Sequence, residues 1–139
     1  MLGPLLFCLY INDIKSYLPD NISHLLYADD LQVYLEVSPE VMVSANKTLS
    51  LLAHRISEWA DSILLRLNHE KTRAIFFESS TFVDILNSLN YPSIYVGNGN
   101  IIPFANEVKS LGVILDSKLT WETHISYIER KVNRVLYTL

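Results

Sequence analysis

Asp29 and Asp30 stand side by side between two apolar runs, Ile22 to Ala28 and Leu31 to Leu35. Leu31, Val33 and Leu35 alternate with Gln32, Tyr34 and Glu36, the period of a half-buried strand. The flanking runs therefore predict a β-hairpin with the two acids at its turn. Two carboxylates at one hairpin tip gather several hard oxygens, the donor chemistry that Mg²⁺ selects. A pair of such ions clamps the attacking and leaving oxygens of a phosphoryl transfer. Aspartate also suits turns for purely local hydrogen-bonding reasons, so the dipeptide alone leaves both readings open. Metal sites of this kind usually need a further carboxylate, and no other acid in the chain is obviously placed to supply it.

Other chemistry-bearing residues are sparse. Cys8 is the single cysteine, which excludes an intrachain disulfide and a thiolate cluster and reads as a small buried hydrophobe in a reducing compartment. His24, His54, His69 and His124 share no ligand spacing. The 139 residues are half hydrophobic and 19% charged, a globular composition rather than a disordered one. A formal net charge of −4 argues against a free-standing basic nucleic-acid binder. The charge is uneven, however: residues 1–70 hold 4 basic and 9 acidic groups, whereas residues 109–139 hold 5 basic and 3 acidic. No apolar run approaches the ~20 residues of a membrane helix. The apolar opening, Met1 to Ile11, has no basic start or small-residue cleavage site, carries Gly3-Pro4, and reads as buried structure.

The elements that must position the acid pair follow from pattern. Gly3-Pro4 starts a short helix that ends before Pro19. Strands are expected at Ile22 to Tyr27 and Leu31 to Val37. Ser38-Pro39 then predicts a side-chain cap and a helix start. Ala45, Leu49, Leu52, Ile56, Trp59 and Ile63 step by 4, 3, 4, 3, 4, one stripe of a long helix. Arg73 to Phe77 reads as a short strand and residues 78–93 give no clear pattern. Ser93 to Val96 and Ile101-Ile102 flank Gly97-Asn98-Gly99-Asn100, a hairpin signal. Glu107 to Leu115 reads as one strand. Thr120 is placed to cap a last helix, whose apolar residues Trp121, Ile125, Ile128, Val132, Val135 and Leu139 repeat the same steps. Trp59 and Trp121 lie on these stripes and read as core residues. Arg130, Lys131 and Arg134 fall off the second stripe, as a solvated face or one turned to a nucleic-acid backbone. The order of elements defines an α+β fold with a mostly antiparallel sheet.

Four segments, taken in order, resemble the reverse transcriptases of non-LTR retrotransposons. Tyr27-Ala28-Asp29-Asp30 is similar to the catalytic box of that family. Leu2-Gly3-Pro4-Leu5-Leu6-Phe7 with Tyr10-Ile11-Asn12-Asp13 resembles the helix before the catalytic hairpin. Leu67-Asn68-His69-Glu70-Lys71-Thr72 resembles the Leu-Asn-x-x-Lys-Thr segment after the long palm helix. Val108 to Asp116, followed by Leu119-Thr120-Trp121 and His124-Ile125, resembles the primer-grip strands and the beginning of the thumb. The likeness spans nearly the whole chain except residues 78–93.

The resemblance implies a right-hand polymerase palm, incomplete over these residues, with an antiparallel sheet and catalytic hairpin packed on helices. Residues 1–118 would be the C-terminal part of the palm and residues 119–139 the start of the thumb. Asp29 would be the principal ligand for Mg²⁺ (or Mn²⁺), with Asp30 beside it. Tyr27 would support the hairpin near the primer end. Lys71 would sit near the triphosphate and protonate or neutralise the leaving pyrophosphate. Leu111 and Gly112 would help hold the primer, and Arg130, Lys131 and Arg134 could face the primer–template backbone. The implied partners are an RNA template, a DNA primer and deoxynucleoside triphosphates, in nucleus or cytoplasm and with no membrane.

The family's first catalytic aspartate precedes the Gly3-Pro4 helix, and its fingers and most of its thumb have no counterpart in residues 1–139. The expectation is therefore a polymerase fragment whose active site is completed by other palm and finger segments and which is inactive alone. The alternative is a palm remnant without chemistry that binds protein or nucleic acid.

Overall fold

The computed structural model describes residues 2–77, 93–96 and 99–137. They form helix α1 (Gly3–Tyr10), a 3₁₀ segment (Asn12–Tyr17), strands β1 (Ser23–Tyr27) and β2 (Asp30–Tyr34), a 3₁₀ turn (Pro39–Val41) and helix α2 (Met42–Ser62). Strands β3 (Ile94–Val96), β4 (Asn100–Ile102), β5 (Glu107–Ser110) and β6 (Val113–Asp116) follow, then helix α3 (Glu122–Leu136). The mixture is α+β. Its strands form three two-stranded sheets, β1-β2, β3-β4 and β5-β6, among the described residues, instead of one larger sheet. The chain divides into two compact units, residues 1–69 with 92–101, and residues 70–91 with 102–139.

The first unit is organised by α2. Its stripe buries Ala45, Leu52, Ile56 and Trp59, while Leu49 and Ile63 are half-buried. Ile56, Trp59 and Ala60 join Ile11, Ile14, Leu18 and Ile22 in one core, against which Leu26, Leu31 and Val33 of the β1-β2 hairpin pack. Burying such side chains contributes roughly 1.5–3 kcal/mol each. The Trp59 indole N–H donates to the Asp13 carboxylate at 3.1 Å, so the ring's polar edge keeps a partner where the 3₁₀ segment crosses the helix. Nearer the start of α2, Met42 and Ala45 are buried, as are Ile94 and Val96 of β3. The Ser50 hydroxyl there donates to the Asn46 carbonyl at 2.8 Å and accepts the Tyr95 N–H at 3.0 Å.

Helix α1 departs from the sequence expectation. Leu2, Leu5, Leu6, Leu9 and Tyr10 are exposed, and among the described residues of the opening run only Ile11 is buried. Cys8 is likewise exposed rather than a core residue. The helix is apolar nearly all round, so no single face of it can satisfy all its side chains against one neighbour. The start of α2 is also corrected. Ser38 begins a 3₁₀ turn, its carbonyl accepting the Val41 N–H at 3.2 Å, and Val41 stands at the helix N-terminus without a side-chain cap.

The second unit is built differently. Arg73 to Phe77 is not a strand. It makes a single parallel bridge, Ala74 with Phe104, through Ala74 N–H to the Pro103 carbonyl (3.1 Å) and Ala105 N–H to the Ala74 carbonyl (2.8 Å). Phe76 and Phe104 stack beside it at 4.5 Å between centroids. The expected long strand 107–115 is instead the hairpin β5-β6, in which Ser110 pairs Val113. Leu111 (φ 48°) and Gly112 (φ 87°) form its two-residue turn, and two positive φ values are what a type I′ connection requires. Among the described residues of this unit none is buried. The stripe of α3 is exposed along its described length, and Trp121, at 42% exposure, is no core residue.

The Gly97-Asn98 part of the expected β3-β4 turn and the patternless residues 78–92 lie outside the described residues.

Candidate catalytic turn

The hairpin places the acid pair as its flanking residues dictate. Tyr27 pairs Asp30, so the connection is the two residues Ala28 and Asp29, and Asp30 opens β2. Leu26 and Leu31, the next pair, are half-buried against the core and anchor the tip. Asp29, Asp30 and Tyr27 are exposed. Ala28 takes φ 50°, a left-handed conformation that costs a non-glycine residue on the order of 1–2 kcal/mol. The small methyl of alanine keeps that cost down where a β-branched residue would raise it.

The carboxylates are hard oxygen donors and accessible, and Mg²⁺ is commonly held by one or two protein carboxylates together with substrate phosphates. In kind and number the pair fits such an ion. No group of three or more His, Cys, Asp and Glu converges among the described residues.

Asp29, Asp30 and Tyr27 thus share one turn in the first unit. The other sequence-predicted residues belong to the second unit. Lys71 lies exposed in the turn after Asn68. Leu111 and Gly112 share the β5-β6 turn, and Arg130, Lys131 and Arg134 lie on exposed positions of α3. Arg130 Nε donates to the Ser126 carbonyl one turn back at 3.2 Å.

The start of α3 is organised by a residue to which the sequence pattern gave no role. The Asp116 carboxylate accepts the N–H groups of Lys118 (3.1 Å), Thr120 (3.0 Å) and Trp121 (2.9 Å) and the Thr120 hydroxyl (3.2 Å). These bonds, the Thr120 N–H first, hold its carboxyl below the usual aspartate range. Thr120 is therefore a partner of Asp116 more than a cap in its own right: its oxygen meets the Glu122 N–H only at 3.4 Å. The sequence signal was present in Asp116-Ser117-Lys118, since aspartate bonds backbone N–H groups two residues on.

Comparison with known proteins shows the family of the chain. Residues 1–115 match the family described as reverse transcriptase (RNA-dependent DNA polymerase). The chain belongs to that family. It is 26% identical over 136 residues to the "RNA-directed DNA polymerase from mobile element jockey" of Drosophila melanogaster, covering 94% of this chain and 14% of that protein. It is 30% identical over 137 residues to the "Probable RNA-directed DNA polymerase from transposon X-element" of the same species, covering 95% and 14%. The chain thus spans about one-seventh of the length of these relatives. No solved structure gives a significant match.

Proposed function

We propose that the chain carries the catalytic aspartate turn of an RNA-directed DNA polymerase and serves template-directed nucleotidyl transfer from deoxynucleoside triphosphates to a DNA primer on an RNA template. The reading is carried by one observation: Asp29 and Asp30 are exposed side by side at the tip of the β1-β2 hairpin, which Leu26 and Leu31 hold to the core, within the matched residues 1–115. Bound Mg²⁺ or Mn²⁺ would supply charge stabilisation to the phosphoryl group in transfer. Asp29 would hold such an ion as principal ligand, with Asp30 as its neighbour. Tyr27 supports the turn beside the primer end. Lys71 neutralises or protonates the leaving pyrophosphate, where negative charge develops. Leu111 and Gly112 bring backbone close to the primer, and the basic residues of α3 face its phosphates.

In this reading residues 1–118 are palm and 119–139 begin the thumb. The third carboxylate and the nucleotide-binding fingers come from polymerase segments outside residues 1–139, so these residues assayed alone make no DNA. Synthesis takes place in the nucleus or the cytoplasm.

Primer extension with labelled nucleotide tests the reading in a chimera that supplies upstream palm, fingers and complete thumb from a related polymerase. The chimera should synthesise and its Asp29→Asn variant should not. Asp30→Asn should be damaging but less so. Lys71→Ala should slow the chemical step more than it weakens nucleotide binding. Synthesis by residues 1–139 alone, or a chimera indifferent to Asp29→Asn, would overturn the assignment.

A further inference from the structure

We infer that His124 is a protonation-controlled latch that seats helix α3 on strand β6, closed while its imidazole is neutral and open once the ring takes a second proton. The Ile114 N–H donates to His124 Nδ1 at 3.3 Å. A ring nitrogen accepts only when it carries no proton, so this bond selects the neutral tautomer with its hydrogen on Nε2. With both nitrogens protonated, two donors face one another and the bond is lost. The strand leaves the ring something to hold. Ser110 and Val113 close the two-residue turn, and the next pair is Lys109 with Ile114. Bonded and non-bonded pairs alternate along an antiparallel ladder, so the Ile114 N–H points away from β5. Among the described residues no further strand pairs with β6, and the half-buried His124 ring takes that edge N–H instead.

The surroundings favour opening once the ring is charged. His124 lies in the first turn of α3, at the positive end of the helix dipole. Its ring stacks on that of Tyr127, 6.4 Å between centroids and 27° between planes. Lys109 Nζ lies 4.8 Å from the Tyr127 ring centroid and donates to the phenolic oxygen at 3.3 Å. Lys131 Nζ lies 5.6 Å from the same centroid. The Tyr127 hydroxyl registers this field: its pKa is lowered, first by the Lys109 hydrogen bond and then by the charges of Lys109 and Lys131. A charged imidazole adds a third cation to the group. Carboxylates do not offset it. That of Asp116 on β6 is taken up by the N–H groups of Lys118, Thr120 and Trp121. Glu107 of β5 pairs with Asp116 at the end of the hairpin away from the turn. Glu122 and Glu129 of α3 form no ion pair with His124.

Opening frees the flank of α3 and not its start. The Asp116 bonds to Thr120 and Trp121 hold the entry to the helix without His124. Leu119 (φ 53°) and Trp121 (φ 67°) of that connection are both left-handed, a strained backbone that the Asp116 bonds keep in place. The helix is therefore fastened at two points. Release of the His124 bond lets it pivot about the other with its own backbone bonds intact. In the polymerase reading the latch joins the palm to the first helix of the thumb, but its geometry does not depend on that reading.

The test is NMR of the isotope-labelled 139-residue chain between about pH 8 and about pH 5, the interval in which imidazoles change charge. At the alkaline end His124 should show the Nε2–H tautomer, and the Ile114 amide should exchange more slowly than its intrinsic rate. Toward the acid end that protection should fall several-fold, the loss of one hydrogen bond, while helicity by circular dichroism stays level. His124→Asn sets an acceptor oxygen near the place of Nδ1 and does not titrate, so protection should persist at both ends. His124→Phe has no acceptor and should lack protection at both. An Nδ1–H tautomer at the alkaline end, wild-type protection indifferent to pH, or a pH step retained in His124→Phe would overturn the latch. Helicity that falls together with the protection would overturn it as well, because the helix would then be melting rather than lifting. No nucleotide or primer enters the measurement, so failure here is distinct from failure of the catalytic turn.

Discussion

Helices α2 and α3 carry the same apolar spacing, 4, 3, 4, 3, 4, and end in opposite environments. Leu52 and Trp59 of α2 are 3% and 5% exposed, whereas Ile128 and Val135 at the corresponding steps of α3 are 42% and 61% exposed. Periodicity specifies a stripe and its width, but it does not specify what the stripe meets. The α2 stripe meets residues of the 3₁₀ segment 12–17 and the strands beside it. Helix α3 instead packs on β6 through its flank, where His124 Nδ1 accepts the Ile114 N–H at 3.3 Å, and leaves its stripe outward. One unit is held by a buried core and the other by hydrogen bonds and charge at half-exposed positions.

Removing core from the first unit should break that contrast most severely. Trp59→Ala deletes a buried ring and its bond to Asp13, and should cost about 3–5 kcal/mol in denaturant unfolding. Trp59→Phe, which keeps an apolar ring but orphans the Asp13 contact, should cost about 1 kcal/mol. Ile128→Ala and Val132→Ala on the α3 stripe should each stay within about 0.5 kcal/mol, as exposed substitutions do. Equal losses in the two helices would show that the α3 stripe is covered in solution.

The second unit should be more sensitive to its turn than to its apolar residues. Gly112 sits at φ 87° with open space where a Cβ would stand. Gly112→Ala should therefore cost about 1–2 kcal/mol for backbone reasons alone. Leu111→Gly relieves a similar strain at φ 48°, but glycine adds roughly 0.4–1 kcal/mol of unfolded-chain freedom. The two effects largely cancel, and a net change under about 0.5 kcal/mol is expected from the same unfolding measurement.

These turns also mark what the sequence could disclose. The Ala28-Asp29 connection was legible because apolar alternation stops on either side of two acids. The Leu111-Gly112 connection was not, because no Asn, Asp or Pro marks a turn between Glu107 and Leu115 and leucine is an uncommon residue at positive φ. Helix α2 was legible in its stripe and burial but not in its start, which a 3₁₀ turn displaces to Met42, and helix α3 in its stripe alone. The acid pair was found from types and neighbours within one short segment. Lys109 and Tyr127 were missed because a contact between residues 18 apart on a strand and a helix leaves no periodic trace.

The smallest effect expected is confined to the first turn of α3 and to acid solution. Asp116 has its carboxyl lowered by the N–H and hydroxyl groups it accepts. A carboxylate depressed in the folded state contributes its stabilisation above the unfolded aspartate range, and that contribution is lost as pH falls through the lower folded value. Helicity measured by circular dichroism should thus stay level down to the ordinary aspartate range, near 4, and decline only below it. Asp116→Asn keeps one acceptor oxygen and cannot reproduce both pairs of bonds, those at Oδ1 to Lys118 and Thr120 and those at Oδ2 to Thr120 and Trp121. Its helicity should start slightly lower and lose that acid step. A variant that retains the step would assign it to another carboxylate. A wild type without the step would mean that Asp116 does not hold α3 in solution. The second unit would then depend on the Lys109–Tyr127 contact and the β5-β6 pairing to fix the helix against its hairpin.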